Sequence, residues 1–408
     1  MRALTLCVAL SAVLTASGAR AQSLRLTESE ALARLSVDSP RVRAIRASID
    51  VARAEALAAG RWPNPRLIYD RESVAGITEH MTMIGQSVPI SGRRGLEVSA
   101  ASTMADASTG RADEAVQRAR ADLRLAYAHL LTAQVREREL AGARSRLQQL
   151  VDVLAKREAA GDAAGFDRLR AQREVLEVDA DRSLAAADRA RAQGTLAGFF
   201  TGMGDPTRIA AEDAALPPTP IPPVDALVER AESTRGELLA LRKEVESAEF
   251  AARAAGRRAV PEPEIVAGTK SSTVGGGHTG SVITLQAVMP VFDRGRPERA
   301  LAIARASQAR ASIDAFRVAL GAEIAGLRSA VVERREAAAL FREAAVDSAD
   351  QIERIAQVSY DAGERGILEL LDAYRLGSLA RIRQATLDAA AREAELELAF
   401  ISGWEIPS

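Results

Sequence analysis

The chain has 408 residues, of which 47% are hydrophobic and only 3% aromatic, and its formal net charge is −1. This near-neutral charge excludes the strongly basic surface on which general nucleic-acid binding depends. The hydrophobic content is enough for a sizeable core, which must be built mainly from Ala, Leu and Val because aromatic residues are so few.

Residues 1–21 have the pattern of a secretory signal peptide. Arg2 gives the positive charge, Leu4–Leu14 forms the apolar segment, and Ala19-Arg20-Ala21 matches the small-residue cleavage pattern. The single cysteine, Cys7, lies in this segment. We therefore expect an exported mature chain with no disulfide, no thiolate metal site and no lipid anchor.

A first structural repeat is predicted over residues 22–204. It begins with a capping box, in which Thr27 is followed three residues later by Glu30. Two short helices lead to a β-hairpin at about 63–91, whose two strands of about ten residues have the length that crosses a bilayer when tilted. A coiled-coil helix of about 65 residues follows, and a return helix comes after a turn near 161–166.

Residues 205–223 contain six prolines, namely Pro206, Pro217, Pro218, Pro220, Pro222 and Pro223, and we predict a Pro-rich linker there. A second repeat with the same order of elements is predicted over 224–408, with a hairpin at about 261–292 and a helical tip near 363–367. The first long helix of this repeat, about 297–362, has one apolar heptad seam. Its members are Leu320, Ile324, Leu327, Val331, Ala338, Phe341, Ala345, Ile352 and Ile355.

Apolar and polar residues alternate weakly in the hairpins, as in the strands of a membrane barrel. The later copy has apolar Ile283, Leu285, Ala287 and Met289 against polar Thr284 and Gln286. The earlier copy has apolar Ile77, Met81 and Met83 against polar Thr78, Thr82 and Gln86.

Four strands cannot close a hollow barrel alone, and an open edge in lipid would leave backbone groups unpaired. Several copies must therefore share one barrel. Two copies of four strands give eight, which is narrow, whereas three copies give twelve.

The duplicated plan resembles the outer membrane efflux proteins, the TolC-like family. The likeness lies in the two Pro-x-Pro strand entries, in Met289-Pro290-Val291-Phe292-Asp293, and in the second tip, Tyr360–Ala373. The resemblance implies a mostly α fold with a β part: a homotrimer with a twelve-stranded outer-membrane β-barrel, surrounded by lipid and continued by a periplasmic α-barrel. It also implies a periplasmic adaptor and an inner-membrane RND-type pump as partners, and the proportions resemble the heavy-metal cation branch.

The same resemblance assigns residues to a periplasmic gate. In closed members of the family a Tyr and an Arg of the second tip, here Tyr360 and Arg365, bond an Asp of the first tip, here Asp167. Glu369 and Asp372 match acidic residues that ring the constriction. The tip turns that dock the adaptor correspond to Gly161, Gly165, Gly363 and Gly366. The alternative interpretations are an ordinary surface ion pair for the first set and a solvated helix face for the acidic pair.

We expect a passive exit duct of a tripartite efflux system, carrying heavy-metal cations, with no catalytic residues, no cofactor and no resident metal. His80, His129 and His278 are too far apart in sequence to form a local ligand pair, and no catalytic motif is present. A multidrug duct of the same fold is the first alternative. A periplasmic adaptor or structural coiled coil is less favoured, because that class predicts one helical hairpin between compact β domains.

Overall fold

A computed structural model describes residues 24–36, 39–161, 165–202, 204–212 and 219–407. The predicted signal peptide lies outside the described residues, as do Asp162–Ala164 of the first tip and positions 213–218 of the predicted linker. Within the described ranges, every helix is too short or too polar to cross a membrane.

The first repeat begins with a short strand and two helices that precede a β-hairpin and a long helical hairpin. Thr27 caps the first helix, and its side chain and that of Glu30 form the predicted capping box. The elements are β1 (Leu24–Leu26), α1 (Glu28–Arg34), α2 (Pro40–Ala59), β2 (Arg66–Val74), β3 (Ile77–Ser87), α3 (Arg93–Ala159) and α4 (Gly165–Ala197). The 67 residues of α3 make a rod of about 100 Å.

The second repeat has the same order of elements, which confirms the duplicated, mostly helical fold with two hairpins. Between the repeats lies a short strand, β4 (Ile209–Ala211). The elements that follow are α5 (Val224–Thr234), α6 (Gly236–Gly256), β5 (Pro263–Ser272), β6 (His278–Ala287), α7 (Arg296–Phe341), α8 (Asp347–Asp361) and α9 (Ile367–Ser402).

Part of the predicted linker is not a simple connection, because β4 pairs in parallel with β1. Ile209 is fully buried in this pair. The hydroxyl of Tyr127 on α3 lies 2.7 Å from the carbonyl oxygen of Leu26 and 2.6 Å from that of Glu212. The buried Tyr127 hydroxyl therefore holds the ends of β1 and β4 against α3. Proline spacing alone predicted only a linker in this segment.

The two hairpins form one antiparallel sheet with the strand order β2-β3-β5-β6. The β3–β5 pair joins the repeats, and Met83 lies opposite Gly268. A Cβ atom on Gly268 would lie 2.1 Å from the carbonyl oxygen of Thr82. Only glycine allows the two repeats to approach this closely.

The sheet register shows that the two predicted apolar sets lie on opposite faces. Ile283 is in the same cross-strand row as Ala267 and Ile84, whereas Met83 shares its row with Gly268 and Val282 and therefore points the other way. Ile283 is 80% exposed, and Met81 and Met83 are half-buried. Alternation within one strand separates its residues into two faces but does not show which face is outward. The pairing between strands shows which residues of the two hairpins share a face.

The long helix of the second repeat is interrupted by a π-helical turn at Arg342–Val346, between α7 and α8. The predicted heptad seam is correct as far as Ala338, which is buried, but wrong beyond the turn, because Ile352 and Ile355 are 46% and 52% exposed. A π turn takes up one extra residue. The buried positions after it, Ala349 and Ala356, therefore lie one residue later than the heptad predicts.

Candidate functional site at the helical tips

The first tip is the turn between α3 and α4. Gly161 has a φ of 81°, which a residue with a Cβ atom rarely adopts. Glu158 and Arg168 form an ion pair across the turn, which raises the pKa of Arg168. Asp167 lies in the first turn of α4 and is half-exposed, where the helix dipole favours a negative charge. A side chain on Gly165 would collide with the Glu158 carboxylate, 2.6 Å away.

The second tip is the turn between α8 and α9. Gly363 has a φ of 74° and its amide donates to the carbonyl oxygen of Tyr360 at 3.0 Å. The amides of Glu364 and Arg365 donate to the carbonyl oxygen of Ser359. These bonds satisfy the last carbonyl groups of α8 in the way typical of a glycine-terminated helix, and Gly366 precedes α9 as its N-cap.

A hydrophobic cluster packs the two tips against each other, so their positions are coupled. Leu154 of α3, Ala171 of α4 and Leu370 of α9 are at most 2% exposed in it. Tyr360 belongs to the same cluster and is 8% exposed.

Tyr360, a predicted gate residue of the second tip, contacts the first helical hairpin. The guanidinium carbon of Arg157 lies 5.3 Å from the centre of its ring, a cation–π distance. Arg365 lies exposed in the second turn. Within the described part of the chain, no hydrogen bond or ion pair joins Asp167 to Tyr360 or Arg365, so one protomer alone does not bring these three side chains together.

Glu369 and Asp372 lie three residues apart on α9 and both are exposed. Their spacing places them on the same side of the helix, beside the apolar and exposed Leu368 and Leu376. A negatively charged pair next to exposed apolar residues is suited to a lining or an interface, and in a symmetric assembly it would repeat as a ring.

A charged cluster above the tips was not predicted. Arg381 of α9 forms ion pairs with Glu139 of α3 at 2.7 Å, Asp350 of α8 at 2.7 Å and Glu353 of α8 at 3.4 Å. Arg146 of α3 is 3.2 Å from Glu353. The cluster therefore joins both repeats through three helices.

The surroundings of this cluster stabilise the charged form of the Arg381 guanidinium and the neutral form of the Tyr374 phenol. Burial alone lowers the pKa of Arg381, but its hydrogen bond with Glu139 and the charges of Glu353, Glu139 and Asp350 outweigh burial, so the pKa is raised. Burial, followed by the charge of Glu353, raises the pKa of Tyr374. The neutral Tyr374 hydroxyl donates to Gln357 of α8.

One sequence signal could have located the cluster. Gly377 lies inside α9, where glycine costs about 1 kcal/mol relative to alanine, so its presence suggests a close approach. A Cβ atom there would lie 2.5 Å from a carboxylate oxygen of Glu353. The pairing itself depends on residues more than 200 positions apart, such as Glu139 and Arg381, which no local pattern relates.

The amino-acid sequence matches known proteins over much of its length. The model of the family described as outer membrane efflux protein matches residues 227–404. The cobalt-zinc-cadmium resistance protein CzcC of Cupriavidus metallidurans is 23% identical over 325 residues, which cover 79% of this chain and 76% of CzcC.

Solved structures share the whole architecture. A membrane protein from Pseudomonas aeruginosa superposes with a TM-score of 0.75 at 20% identity, covering 92% of this chain and 93% of that chain. The CusC channel superposes with a TM-score of 0.74 at 14% identity, covering 92% and 91% respectively. The family match spans the second repeat, and the shared fold extends to both repeats. Over residues 227–404 the chain is similar to the outer membrane efflux protein family, and over both repeats it has the fold of solved outer-membrane channels.

Proposed function

We propose that this protein is the outer-membrane exit duct of a tripartite efflux system and conducts its cargo passively from the periplasm to the exterior. The observation that carries the proposal is a single four-stranded sheet, built from one hairpin of each repeat, on a bundle of helices about 100 Å long. An efflux protein with this shape provides a path, and the energy comes from its partners.

A homotrimer follows from the edges of the sheet. Strands β2 and β6 are the two edges, and each has a neighbour on one side only among the described strands. In lipid, unpaired edge groups cost several kcal/mol each. Three copies of four strands close into twelve, which leaves room for a water-filled interior.

The outward face of the sheet suits contact with outer-membrane lipid. Leu67, Ile84 and Ile283 lie in one cross-strand row, and they are 75%, 56% and 80% exposed in one protomer. Such a row of exposed apolar residues is unfavourable in water and favourable in a bilayer.

We further propose that the cargo is a heavy-metal cation, because CzcC is named for resistance to cobalt, zinc and cadmium. The exposed acidic pair Glu369 and Asp372 supports a cation path. Partners on the periplasmic side are an adaptor that contacts the tip turns, including Gly161, Gly165, Gly363 and Gly366, and an RND-type pump in the inner membrane. The gate role of Asp167, Tyr360 and Arg365 then requires contacts between protomers.

Deletion of the gene tests cargo and function together. The strain is grown across a panel of cobalt, zinc, cadmium, copper and silver salts, with hydrophobic drugs and detergents in parallel, and is complemented by the intact gene. We expect sensitivity to a subset of the metals, restored by complementation. Sensitivity to drugs alone would replace the metal assignment with a multidrug duct, and unchanged growth in every condition would contradict the efflux function.

A further inference from the structure

The helix that leads to the second tip has two candidate seams, which differ by one residue in register. Up to Ala338 its buried residues follow the heptad seam, and after the π turn at Arg342–Val346 they follow the same seam displaced by one residue. In the observed register Ala349, Ala356 and Tyr360 are buried. If the π turn were replaced by a regular helix, α8 would rotate by about 100°, and Ile352 and Ile355 would occupy the seam instead.

The observed register is held by polar contacts. Asp350 and Glu353 face Arg381, whose side chain is 21% exposed. Tyr360 lies beneath Arg157. Each of these contacts would be lost if α8 turned by one residue.

The alternative register would be held by apolar contacts. Ile352 and Ile355 are about half-exposed in the observed register, and Val358 is 68% exposed. Rotation would bury the two isoleucines between helices and turn Glu353 outward. One segment thus has two competing seams, one charged and one apolar, and a single-turn π-bulge is the structural element by which a helix changes between them.

We propose that α8 is a register switch, in which loss of the π turn exchanges the charged seam for the apolar seam and releases the second tip from the first. The exposed turn at Gly363 provides the slack for the displaced residue, since it has few contacts beyond its own backbone. The connection to channel opening rests on the function proposed above. The register change itself does not.

Thiol labelling of the purified full-length protein measures the register directly. Two proteins, Ile355→Cys and Ala356→Cys, each add one cysteine to the mature chain, which otherwise has none, and are labelled with a maleimide in detergent. Ile355 is 52% exposed and Ala356 is 7% exposed. We expect position 355 to react faster, and we expect Arg381→Met to lower the ratio of the two rates by about tenfold, because the apolar register then becomes favoured.

Arg173→Met is the matched control, because Arg173 forms an exposed i,i+4 pair with Glu177 on α4 and should leave the ratio unchanged. If Arg381→Met raised both rates equally, the helix would have loosened without changing register, and the proposal would be wrong. An unchanged ratio would also contradict it.

Deletion of Ala344 separates the switch from general destabilisation. Removing one residue from the π turn makes the helix continuous while leaving Ala356 and Tyr360 in the seam, so Arg381→Met should no longer alter the labelling ratio. In the complementation assay this deletion should assemble normally but fail to restore metal resistance. Full complementation by this variant would refute the link between the register change and channel opening. If Arg381→Met lowers the labelling ratio as expected but deletion of the gene gives no efflux phenotype, only the proposed function would be wrong.

Discussion

Replacement of Gly268 by alanine tests whether the two hairpins form one sheet through the β3–β5 pair. The new Cβ atom would lie 2.1 Å from the carbonyl oxygen of Thr82 and 2.6 Å from the Cα atom of Met83. Ordinary contacts of this kind begin near 3.4 Å, so the strands must separate by about 1 Å. The neighbouring atoms are backbone and cannot rotate away, unlike the end of a side chain.

Separation on this scale weakens the two or three ladder hydrogen bonds nearest to Gly268, each of which contributes about 0.5–1.5 kcal/mol. We therefore expect the free energy of unfolding to fall by about 2–4 kcal/mol, in the range known for overpacked sites. The matched control is Gly280→Ala on β6, where an added Cβ atom meets nothing within 4 Å and the change should stay within about 0.5 kcal/mol.

The measurement is the urea midpoint of the purified protein in detergent, together with the amount assembled in the outer membrane. Gly268→Ala should lower both values, and Gly280→Ala should lower neither. Equal midpoints for the two variants would mean that β3 and β5 do not approach as described, and the single sheet would be wrong.

Three further predictions concern the tips and the helices next to them. Glu369→Gln combined with Asp372→Asn should reduce the cation-over-anion permeability ratio in planar bilayers by roughly two- to fivefold. The control Glu177→Gln should leave this ratio unchanged. Equal ratios for all three proteins would contradict an acidic ring that lines the channel. Tyr360→Ala should cost about 3–5 kcal/mol of local stability and make cells leaky to large antibiotics. Tyr360→Phe keeps the ring but removes the hydroxyl that would bond Asp167 of a neighbouring protomer, so it should keep the stability and still leak. A Tyr360→Phe channel that does not leak would contradict the gate contact. Burial raises the pKa of Tyr374 in the folded state. The stability that this shift contributes is complete below pH about 10 and is lost as the pH rises from there through the folded pKa. The difference in urea midpoint between the native protein and Tyr374→Phe should therefore stay constant up to that pH and change only above it.

Much of the fold could be predicted because its limits are marked by Pro and Gly. The first hairpin, predicted at about 63–91, has its strands at Arg66–Val74 and Ile77–Ser87, since prolines precede it and Gly76, with a φ of 82°, forms its turn. The ends of the long helices were predicted to within a few residues at Ala159 and Asp361 for the same reason.

The register of the second long helix could not be predicted in full. A heptad pattern assumes a constant number of residues per turn, and Ile352 and Ile355 continued the pattern in the sequence. The segment after the π turn at Arg342–Val346 has its partners on other helices, such as Arg381 of α9 for Glu353. Such pairing between distant residues leaves no periodic signal.

The site was predicted only in part. The turns at Gly161 and Gly363 were located, because glycine after a helix marks a left-handed cap. The gate roles of Asp167, Tyr360 and Arg365 stay predictions, since one protomer does not bring their side chains into contact.

The most direct test of the central claim is the oligomeric state of the protein extracted from outer membranes, measured by native mass spectrometry and followed by single-channel recording of the same sample. We expect three copies and a water-filled conductance, because four strands in each copy then close into one barrel. A monomer that remains in the soluble fraction, or an oligomer with another number of copies, would contradict this claim.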